Sequence, residues 1–381
     1  MALSERDDKL VRYLQEEGWL DPVRMRLILS MVDRGEAPDV PQALKRSEYV
    51  DDTLLSQLLS RVGAMPTAAT EKPELSEKDE EEEDAVLADR PRIDQLAGIE
   101  VGDYKVVELL GKGAMGVVYK GLATEGDSAG QPFAMKFLKP RFLQDPRFLI
   151  RFLREARTME GLRHPGLVAA HGHGQWRDLP FLVMDFVEGN SLADLLRVNK
   201  RLFEWRVLWL ASKILAPLQV LHDAHIVHRD LKPPNILIDN GYGPRVTDFG
   251  VVADLKSASG RLTKVGSVVG TGAFIAPELA GVSHEKNAVD GRADLYSLGC
   301  VLYCCLVGKP PFAGKKGLDL FLAHKHEAPP PISVHVPVDP RVEAYVMKML
   351  EKAPADRPQS AEEARQEANR LMQAVQQPPN R

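Results

Sequence analysis

Apolar and polar residues follow two different periods along the chain, and the change of period divides it into regions. In residues 4–63, apolar side chains recur at helical spacing, which predicts helices. Between residues 103 and 138, the segments Tyr104 to Leu110 and Val117 to Gly121 are rich in strand-forming residues, which predicts strands. Helical spacing then returns, and we expect helices at about 145–163, 191–198 and 204–223.

The N-terminal helical region contains an internal repeat with a period of 30 residues. In each copy an aromatic–aliphatic pair precedes an aspartate that can cap the next helix, and in the first copy Pro22 takes the first helical position. The matched residues are Leu14, Trp19, Leu20, Asp21, Met25, Ile28, Leu29 and Ser30, then Leu44, Tyr49, Val50, Asp51, Leu55, Leu58, Leu59 and Ser60. Two copies are few for a solenoid, so we expect a small four-helix module. Its role is either docking or dimerisation, or simply that of a packed domain with no ligand of its own.

The periodic pattern stops in residues 64–98. Residues 79–84 are six consecutive acids, and Pro, Ala, Thr, Glu and Lys predominate around them. Like charges at this density repel and bury no apolar surface, so we expect a flexible linker. The acidic run is either a solvated spacer or a regulatory element.

The composition and charge of the chain limit the classes of protein to which it can belong. At 381 residues the chain is long enough for more than one core, and its 44% hydrophobic and 27% charged residues are typical of a globular protein. The net charge of −5 gives no reason to expect nucleic acid as a partner. The N-terminus lacks the apolar core of a signal peptide, and the longest apolar run, near 298–307, is about half the ~20 residues of a membrane span. We therefore expect a cytoplasmic protein without a membrane span.

The three cysteines, Cys300, Cys304 and Cys305, lie in one apolar segment. Cys300 and Cys304 are one helical turn apart, so metal ligation is the alternative to burial. The apolar surroundings favour small buried side chains in a reducing compartment.

A polar loop between two apolar segments carries the strongest candidate chemistry. Asp230 can accept a proton from an attacking hydroxyl, Lys232 can reach a transferring phosphate, and Asn235 offers an oxygen to magnesium. Asp248 follows on a short turn that ends at Gly250. Two oxygen donors and a lysine predict a polyphosphate–Mg²⁺ site. Each of these residues alone would be interpreted as a solvent-exposed surface residue.

A glycine-rich segment, G-x-G-x-x-G at residues 111–116, precedes this loop in the chain. Glycines let the backbone approach phosphate without an intervening Cβ. A strand rather than a helix follows, and the sequence contains no G-x-x-x-x-G-K-[ST] motif. Both points argue against the dinucleotide-binding and P-loop folds.

The segments His228 to Asn235 and Asp248 to Gly250, in this order, resemble the catalytic and metal loops of eukaryotic-type protein kinases. Residues 134–136 are similar to the V-A-I-K motif of that family, and residues 182–189 to its hinge. Residues 270–278 resemble the end of a Ser/Thr kinase activation segment, with Phe274 in place of tyrosine. The resemblance extends over about residues 103–372 and looks most like bacterial serine/threonine kinases.

The resemblance implies an α+β fold with two lobes, a small antiparallel sheet with one helix and a larger, mainly helical lobe. The expected organisation is a module at 1–63, a linker at 64–98, a kinase domain at 99–375 and a frayed end at 376–381. ATP and Mg²⁺, or Mn²⁺, would bind between the lobes.

The resemblance also implies roles for individual residues. Asp230, Lys232 and Asn235 would act in the catalytic loop, while Lys136 would hold the α and β phosphates and pair with Glu155, for which Glu160 is the competitor. Metal would be held by Asn235 and Asp248. The implied ATP-binding residues are Leu110, Gly111, Lys112, Gly113, Ala114, Met115, Gly116, Val118, Ala134, Lys136, Met184, Asp185, Val187, Leu237 and Asp248. Residues implied as structural to the site are His228, Thr271, Asp294, and Glu278 with its buried partner Arg357.

The implied function is transfer of the γ-phosphoryl of Mg·ATP to Ser/Thr hydroxyls of proteins. Lys232 and Thr271 favour Ser/Thr over Tyr as acceptor. Arg229 invites a phosphate, so we expect autophosphorylation on Thr263, with Ser267 second. The alternatives are a pseudokinase scaffold, and a regulated binding protein that acts through its N-terminal module, by docking or as a homodimer.

Overall fold

The computed structural model of the chain describes residues 4, 7, 10, 11, 29, 31–33, 37–46, 93–113, 116–144, 152, 156, 159–241, 243–249, 272–280 and 289–375. Several predictions of the sequence fall outside them: Ala114, Met115, Glu155, Thr263, Ser267, Thr271, the acidic run, residues 376–381 and most of the 30-residue repeat. The chain divides into two compact units. One is Met1–Ala88 with Arg141–Arg147, and the other is Asp89–Pro140 with Phe148–Arg381.

In the first unit, helix α1 spans Val40–Arg46 and buries Val40, Ala43 and Leu44 completely. The buried carboxylate of Asp7 accepts hydrogen bonds from the Val40 amide at 3.3 Å and from the Ser4 hydroxyl at 2.7 Å. A carboxylate at the first amide of a helix satisfies a donor that has no partner inside the helix. The expected four-helix module stays a prediction.

The second unit opens with a six-stranded antiparallel sheet in the order β1-β2-β3-β4-β6-β5. Its strands are β1 Glu100–Val101, β2 Tyr104–Lys112, β3 Gly116–Ala123, β4 Pro132–Leu138, β5 Ala170–Trp176 and β6 Leu179–Asp185. Along β3, from Val117 to Ala123, the odd-numbered residues are buried and the even-numbered ones half-buried. The two faces of the sheet therefore differ, one being covered and the other more open.

Part of the covered face is filled by residues that the sequence assigned to the linker. Leu96 is fully buried, the amide of Leu96 donates to the Tyr119 hydroxyl at 3.3 Å, and that hydroxyl donates to the Ile93 carbonyl at 2.9 Å. The flexible linker predicted at 64–98 is therefore wrong for residues 93–98. The apolar Ile93 and Leu96 find a buried site on the sheet, which single-residue composition does not reveal.

Beyond the sheet, a three-stranded sheet (β7 Gly189–Ser191, β8 Ile236–Asp239 and β9 Pro244–Val246) introduces a mainly helical part. The described helices here are α2 Leu192–Asn199, α3 Glu204–Asp223, α4 Arg292–Val307, α5 Gly317–His326, α6 Pro340–Met349 and α7 Ala361–Ala374. The helices predicted at 191–198 and 204–223 are confirmed within one residue. Of the helix predicted at 145–163, the described residues 152, 156, 159 and 160 are helical.

Helix α4 forms the core of this part, because every residue from Ala293 to Leu306 is buried. Its three cysteines are free, and burial raises the pKa of the Cys304 thiol to about 11. Within the described residues, there is no group of His, Cys, Asp and Glu that could hold a metal and no helix long and apolar enough to cross a membrane. All three cysteines are buried in α4, as predicted from the apolar surroundings.

Candidate active site

The catalytic loop brings Asp230, Lys232 and Asn235 together. The Lys232 ammonium lies 2.7 Å from Asp230 Oδ2, and the Asn235 amide nitrogen donates to the Asp230 carbonyl at 2.9 Å and to Asp230 Oδ2 at 3.2 Å. A 3₁₀ turn at Pro233–Asn235 reverses the chain and returns Asn235 to the aspartate. Because Asn235 uses its nitrogen in these bonds, its oxygen remains for another ligand.

Asp294, in the first turn of α4, anchors the backbone of this loop by hydrogen bonds. This fully buried carboxylate accepts hydrogen bonds from the amides of His228 and Arg229 and from His222 Nε2, each at 2.8 Å. Arg229 has a φ of 65°, which is uncommon for a residue other than glycine and carries some backbone strain. Asp294 therefore fixes the backbone on the N-terminal side of Asp230 in a strained conformation.

His228 is a fully buried spacer between this loop and Asp248. Its Nδ1 accepts from the Asp230 amide at 3.3 Å, which leaves the proton on Nε2 to donate to the Thr247 carbonyl at 3.0 Å. The imidazole also packs edge-on against Phe249, with ring centroids 6.3 Å apart. The packing role expected for His228 is present, and its hydrogen bonds set the separation of Asp230 and Asp248.

Asp248 forms an ion pair with Lys136, whose ammonium lies 2.6 Å from Asp248 Oδ1. Burial alone would raise the pKa of this carboxyl, but the Lys136 ammonium, with smaller contributions from His228 and Lys232, lowers the pKa below its ordinary value. Asp248 is thus held ionised with one oxygen bound to lysine. Its backbone φ of 59° turns it out of the preceding strand direction.

Lys136 projects from the more open face of the six-stranded sheet. In the strand register Lys136 lies opposite Val118, and Ala134 lies opposite Met184, so these four residues share that face. The glycine segment is the hairpin turn between β2 and β3, closed by the Gly113 amide donating to the Gly116 carbonyl at 2.8 Å. A Cβ at Gly116 would collide with the carbonyl oxygen of Phe137, so only glycine fits there.

Glu160, the competitor of Glu155 for Lys136, is engaged elsewhere. Its carboxylate lies 2.8 Å from His173 Nδ1, on β5. His171 has a different carboxylate partner, Asp185, at 2.6 Å. Each of the two histidines therefore has a carboxylate partner within 3 Å.

The Asp185 side chain holds the end of β6 to neighbouring strands. In addition to His171, its carboxylate accepts from the Ala169 amide at 3.2 Å and from Arg245 of β9 at 3.5 Å. It thereby ties the end of β6 to β5 of the same sheet and to β9 of the three-stranded sheet, just before residues 186–188, which connect the two sheets. A bulge between Ala170 and Gly172 shifts the register here, so strand alternation alone could not place His171 beside Asp185.

The closing segment is anchored by the Glu278–Arg357 pair that the sequence predicts. Two parallel hydrogen bonds of 2.7 and 2.9 Å join the groups, and the completely buried Arg357 also donates to the carbonyls of Arg292, Glu351 and Lys352. Each polar atom of the guanidinium is used, which makes the buried charge tolerable.

A second buried network in this region escaped the sequence analysis. Lys352 donates to the Tyr296 hydroxyl at 3.1 Å, and that hydroxyl lies 3.1 Å from Nδ1 of the fully buried His324. Lysine can only donate, so the tyrosine proton points to the imidazole. Burial lowers the pKa of Lys352 to about 8 and, with the nearby Lys352 charge, that of His324 to about 4. No motif marks such residues, because their meeting depends on how α4, α5 and the end of α6 pack.

The donor set suits a hard divalent cation. Asn235 Oδ1 and the ionised Asp248 carboxylate are oxygen ligands, and two protein oxygens completed by phosphate and water is the usual environment of Mg²⁺. The described residues therefore combine a carboxylate that can accept a proton, two ammonium groups and two side-chain oxygens of the type that hard cations prefer.

Comparisons with known proteins identify the family that shares this arrangement. The chain matches the protein kinase domain over residues 104–369. It is 36% identical over 269 residues to a probable serine/threonine-protein kinase of Streptomyces coelicolor, covering 69% of this chain and 39% of that protein. It is 35% identical over 275 residues to the serine/threonine-protein kinase PknB of Mycolicibacterium smegmatis, covering 70% of this chain and 43% of PknB.

The chain thus spans about two-fifths of the length of these two relatives. Its fold is similar to the crystal structure of the Mycobacterium tuberculosis PknI kinase domain, with a TM-score of 0.57 and 26% identity over 72% of this chain and 98% of that domain. The α+β fold implied by the sequence resemblance is confirmed. With more than half of its length matched, the chain belongs to the protein kinase family.

Proposed function

We propose that the chain transfers the γ-phosphoryl group of ATP to Ser/Thr hydroxyls of protein substrates. The observation that carries the proposal is the convergence of Asp230, Lys232 and Asn235 in one hydrogen-bonded group. A pseudokinase usually lacks one of these groups or the lysine of the sheet, whereas Lys136 and Asp248 are both present and paired. The names of the relatives, which describe serine/threonine kinases, support the same acceptor class.

Each side chain has a task that its position suits. Asp230 orients the acceptor hydroxyl and takes its proton, while Lys232, already 2.7 Å from that carboxylate, steadies the transferring phosphoryl. Lys136 exchanges part of its contact with Asp248 for the α and β phosphates. These residues then act mainly by positioning the reactants and stabilising charge, because phosphoryl transfer needs no covalent bond to the protein.

Magnesium, or manganese, fits the oxygens of Asn235 and Asp248, and when bound it neutralises phosphate charge. Adenine is proposed to lie against Ala134, Met184 and Leu237, with the backbone of Asp185 and Val187 as its hydrogen-bonding edge. Reliance on ATP supports a cytoplasmic site of action. The N-terminal module remains a candidate docking or dimerisation element.

Regulation by phosphorylation is part of the proposal. The buried Nε of Arg229 has no hydrogen-bond partner within the described part of the chain, and a guanidinium next to Asp230 suits a phosphate. Thr263 and Ser267 are the proposed acceptors, in that order.

The deciding experiment replaces Asp230 by Asn in the full-length chain. ATP binding should persist while transfer to protein falls by at least about a hundredfold, because only the acceptor hydroxyl loses its partner. Asp223→Asn, an exposed aspartate at the end of α3, is the matched control and should keep wild-type turnover. Near wild-type turnover by purified Asp230→Asn protein would contradict the proposal.

A further inference from the structure

A cavity of about 410 Å³ lies away from the active site, where the C-terminal ends of α2 and α4 meet. We call it the basic pocket. Its lining is Leu196, Arg197, Lys200, Arg201, Val307 and Gly308. Three cations around an apolar floor form a distinct surface in a chain whose net charge is −5.

The cations of the basic pocket are only partly neutralised. Arg197 forms an ion pair of 2.8 Å with Asp194, one turn earlier in α2. Lys200 and Arg201 are exposed and form no ion pair with any other residue that the structure describes. Two large apolar side chains flank them in the chain, since Val198 is 79% exposed and Phe203 is 72% exposed. Exposed apolar groups interleaved with free cations are the complement of a segment that is acidic and partly apolar.

The backbone that carries these cations is held in place. The Leu202 amide donates to the Cys305 carbonyl at 2.7 Å, and the Lys200 amide donates to the Leu196 carbonyl at 2.9 Å. A Cβ at Gly308 would lie 2.8 Å from the Lys200 carbonyl oxygen, so the two chain segments touch. The charges therefore sit on a fixed platform, which lowers the entropy lost when a ligand is bound.

Both helices that end at the basic pocket also contact the loop of Asp230 to Asn235 or the residues just before it. Helix α2 contacts the Pro233–Asn235 turn, and α4 carries Asp294 in its first turn. From Asp294 to Val307 the helix rises about 20 Å at ~1.5 Å per residue. An extended peptide advances about 3.3 Å per residue, so roughly six residues are needed to connect the pocket with the catalytic loop.

We propose that the basic pocket docks an acidic, partly apolar segment of the protein substrate, at least about six residues from the phosphorylated hydroxyl. The inference rests on the proposed kinase function and deepens it. Docking at a distance raises the local concentration of the acceptor without touching the reacting groups. It should therefore lower KM and leave kcat unchanged.

The test uses the full-length protein and synthetic peptides with one Ser or Thr acceptor. Each peptide carries Glu-Glu-Glu-Phe-Val, or its Gln-for-Glu analogue, two or eight residues from the acceptor, on either side. We expect KM to fall about fivefold only for the acidic segment at the longer spacing. Lys200→Glu with Arg201→Glu should abolish that advantage, and 0.5 M salt should reduce it, since exposed ion pairs are screened.

Lys105→Glu with Lys348→Glu is the control, because both lysines are exposed and lie on other elements. It reverses the same amount of charge and should leave the KM difference intact. Equal KM values for acidic and neutral peptides, or equal effects of the two double variants, would overturn the docking site while transfer itself persists. An equal advantage at the two-residue and eight-residue spacings would also overturn it. No transfer to any peptide would overturn the kinase assignment together with the docking proposal.

A further arm replaces residues 79–84 by Asn and Gln. If the acidic peptides gain an advantage only in this variant, the ligand of the basic pocket is the chain's own acidic run, and the substrate-docking proposal is wrong.

Discussion

Replacing Asp294 by Asn should cripple catalysis although the residue touches no reacting group. The carboxylate accepts three hydrogen bonds of 2.8 Å, one on Oδ1 and two on Oδ2. An amide of the same shape has a single acceptor oxygen, so in either orientation its NH₂ group faces the backbone N–H of His228 or Arg229. One buried donor then loses its partner.

The cost follows from burial. A lost bond to a charged group is worth about 1.5–3 kcal/mol, and the stranded donor adds desolvation, so we expect the free energy of unfolding to fall by about 2–4 kcal/mol. Relaxation of the strained backbone at Arg229 would move Asp230, and a displacement on the order of 1 Å can reduce turnover about a hundredfold.

Urea unfolding and steady-state transfer to a generic protein substrate measure the two effects. Ser297→Ala is the control on the same buried helix face. Its hydroxyl donates only to the Ala293 carbonyl within α4, at 3.2 Å, so stability should drop by no more than about 1 kcal/mol and kcat should be unchanged. An Asp294→Asn protein with the wild-type urea midpoint and wild-type kcat would refute the anchoring role.

Other residues give further predictions. Arg357→Lys should lower the free energy of unfolding in urea by about 3–5 kcal/mol, because Glu278 loses its bidentate partner. Arg365→Lys, at the half-exposed ion pair with Glu362 on α7, should cost less than about 1 kcal/mol. Asp185→Ala should raise KM for ATP about tenfold with kcat nearly kept, as its ties hold the segment proposed to face adenine; an unchanged KM argues against this. Burial lowers the pKa of Lys352 in the folded state to about 8, so between pH 8 and 10.5 the unfolded chain binds more protons than the folded chain. The free energy of unfolding therefore rises with pH over this range. Relative to Lys352→Met, wild type should therefore gain stability on going from pH 7 to pH 10, as measured by thermal unfolding. The full shift would give about 2.5 kcal/mol, and roughly 1 kcal/mol is expected because the half-buried ammonium is screened by solvent; a flat difference would contradict the lowered pKa.

Local spacing was enough to predict the catalytic loop. Asp230, Lys232 and Asn235 fall within six consecutive residues, and one 3₁₀ turn suffices to gather them. Lys136 and Asp248 are 112 residues apart, and the ion pair between them was not predicted, because the resemblance to a family implied Glu155 as the partner of Lys136. Glu278 and Arg357 are paired as that resemblance implies, whereas the chemistry of a buried carboxylate alone demands a cation without specifying which one.

The hydrogen-bond networks that support the site could not be predicted from the sequence, for a different reason. Asp185, His171 and Arg245 meet because three strands from two sheets converge at a bulge. A bulge inserts one residue into a strand, so the alternation of apolar and polar residues no longer predicts which residues of the paired strands lie opposite each other. His324 sits in α5 as an ordinary helical residue, and only the packing of α4 against α5 buries it completely.

The hydrogen bonds of Tyr119 to residues 93–96 bear on where this kinase can be cut or fused. The family match begins at residue 104, yet Ile93 and the fully buried Leu96 complete the covered face of the sheet. A fragment that starts at residue 99 or 104 would expose that face and forfeit about 3–5 kcal/mol of apolar burial. The smallest autonomous catalytic fragment therefore starts at or before residue 93, and protein engineers who set the boundary from homology alone would remove part of the core.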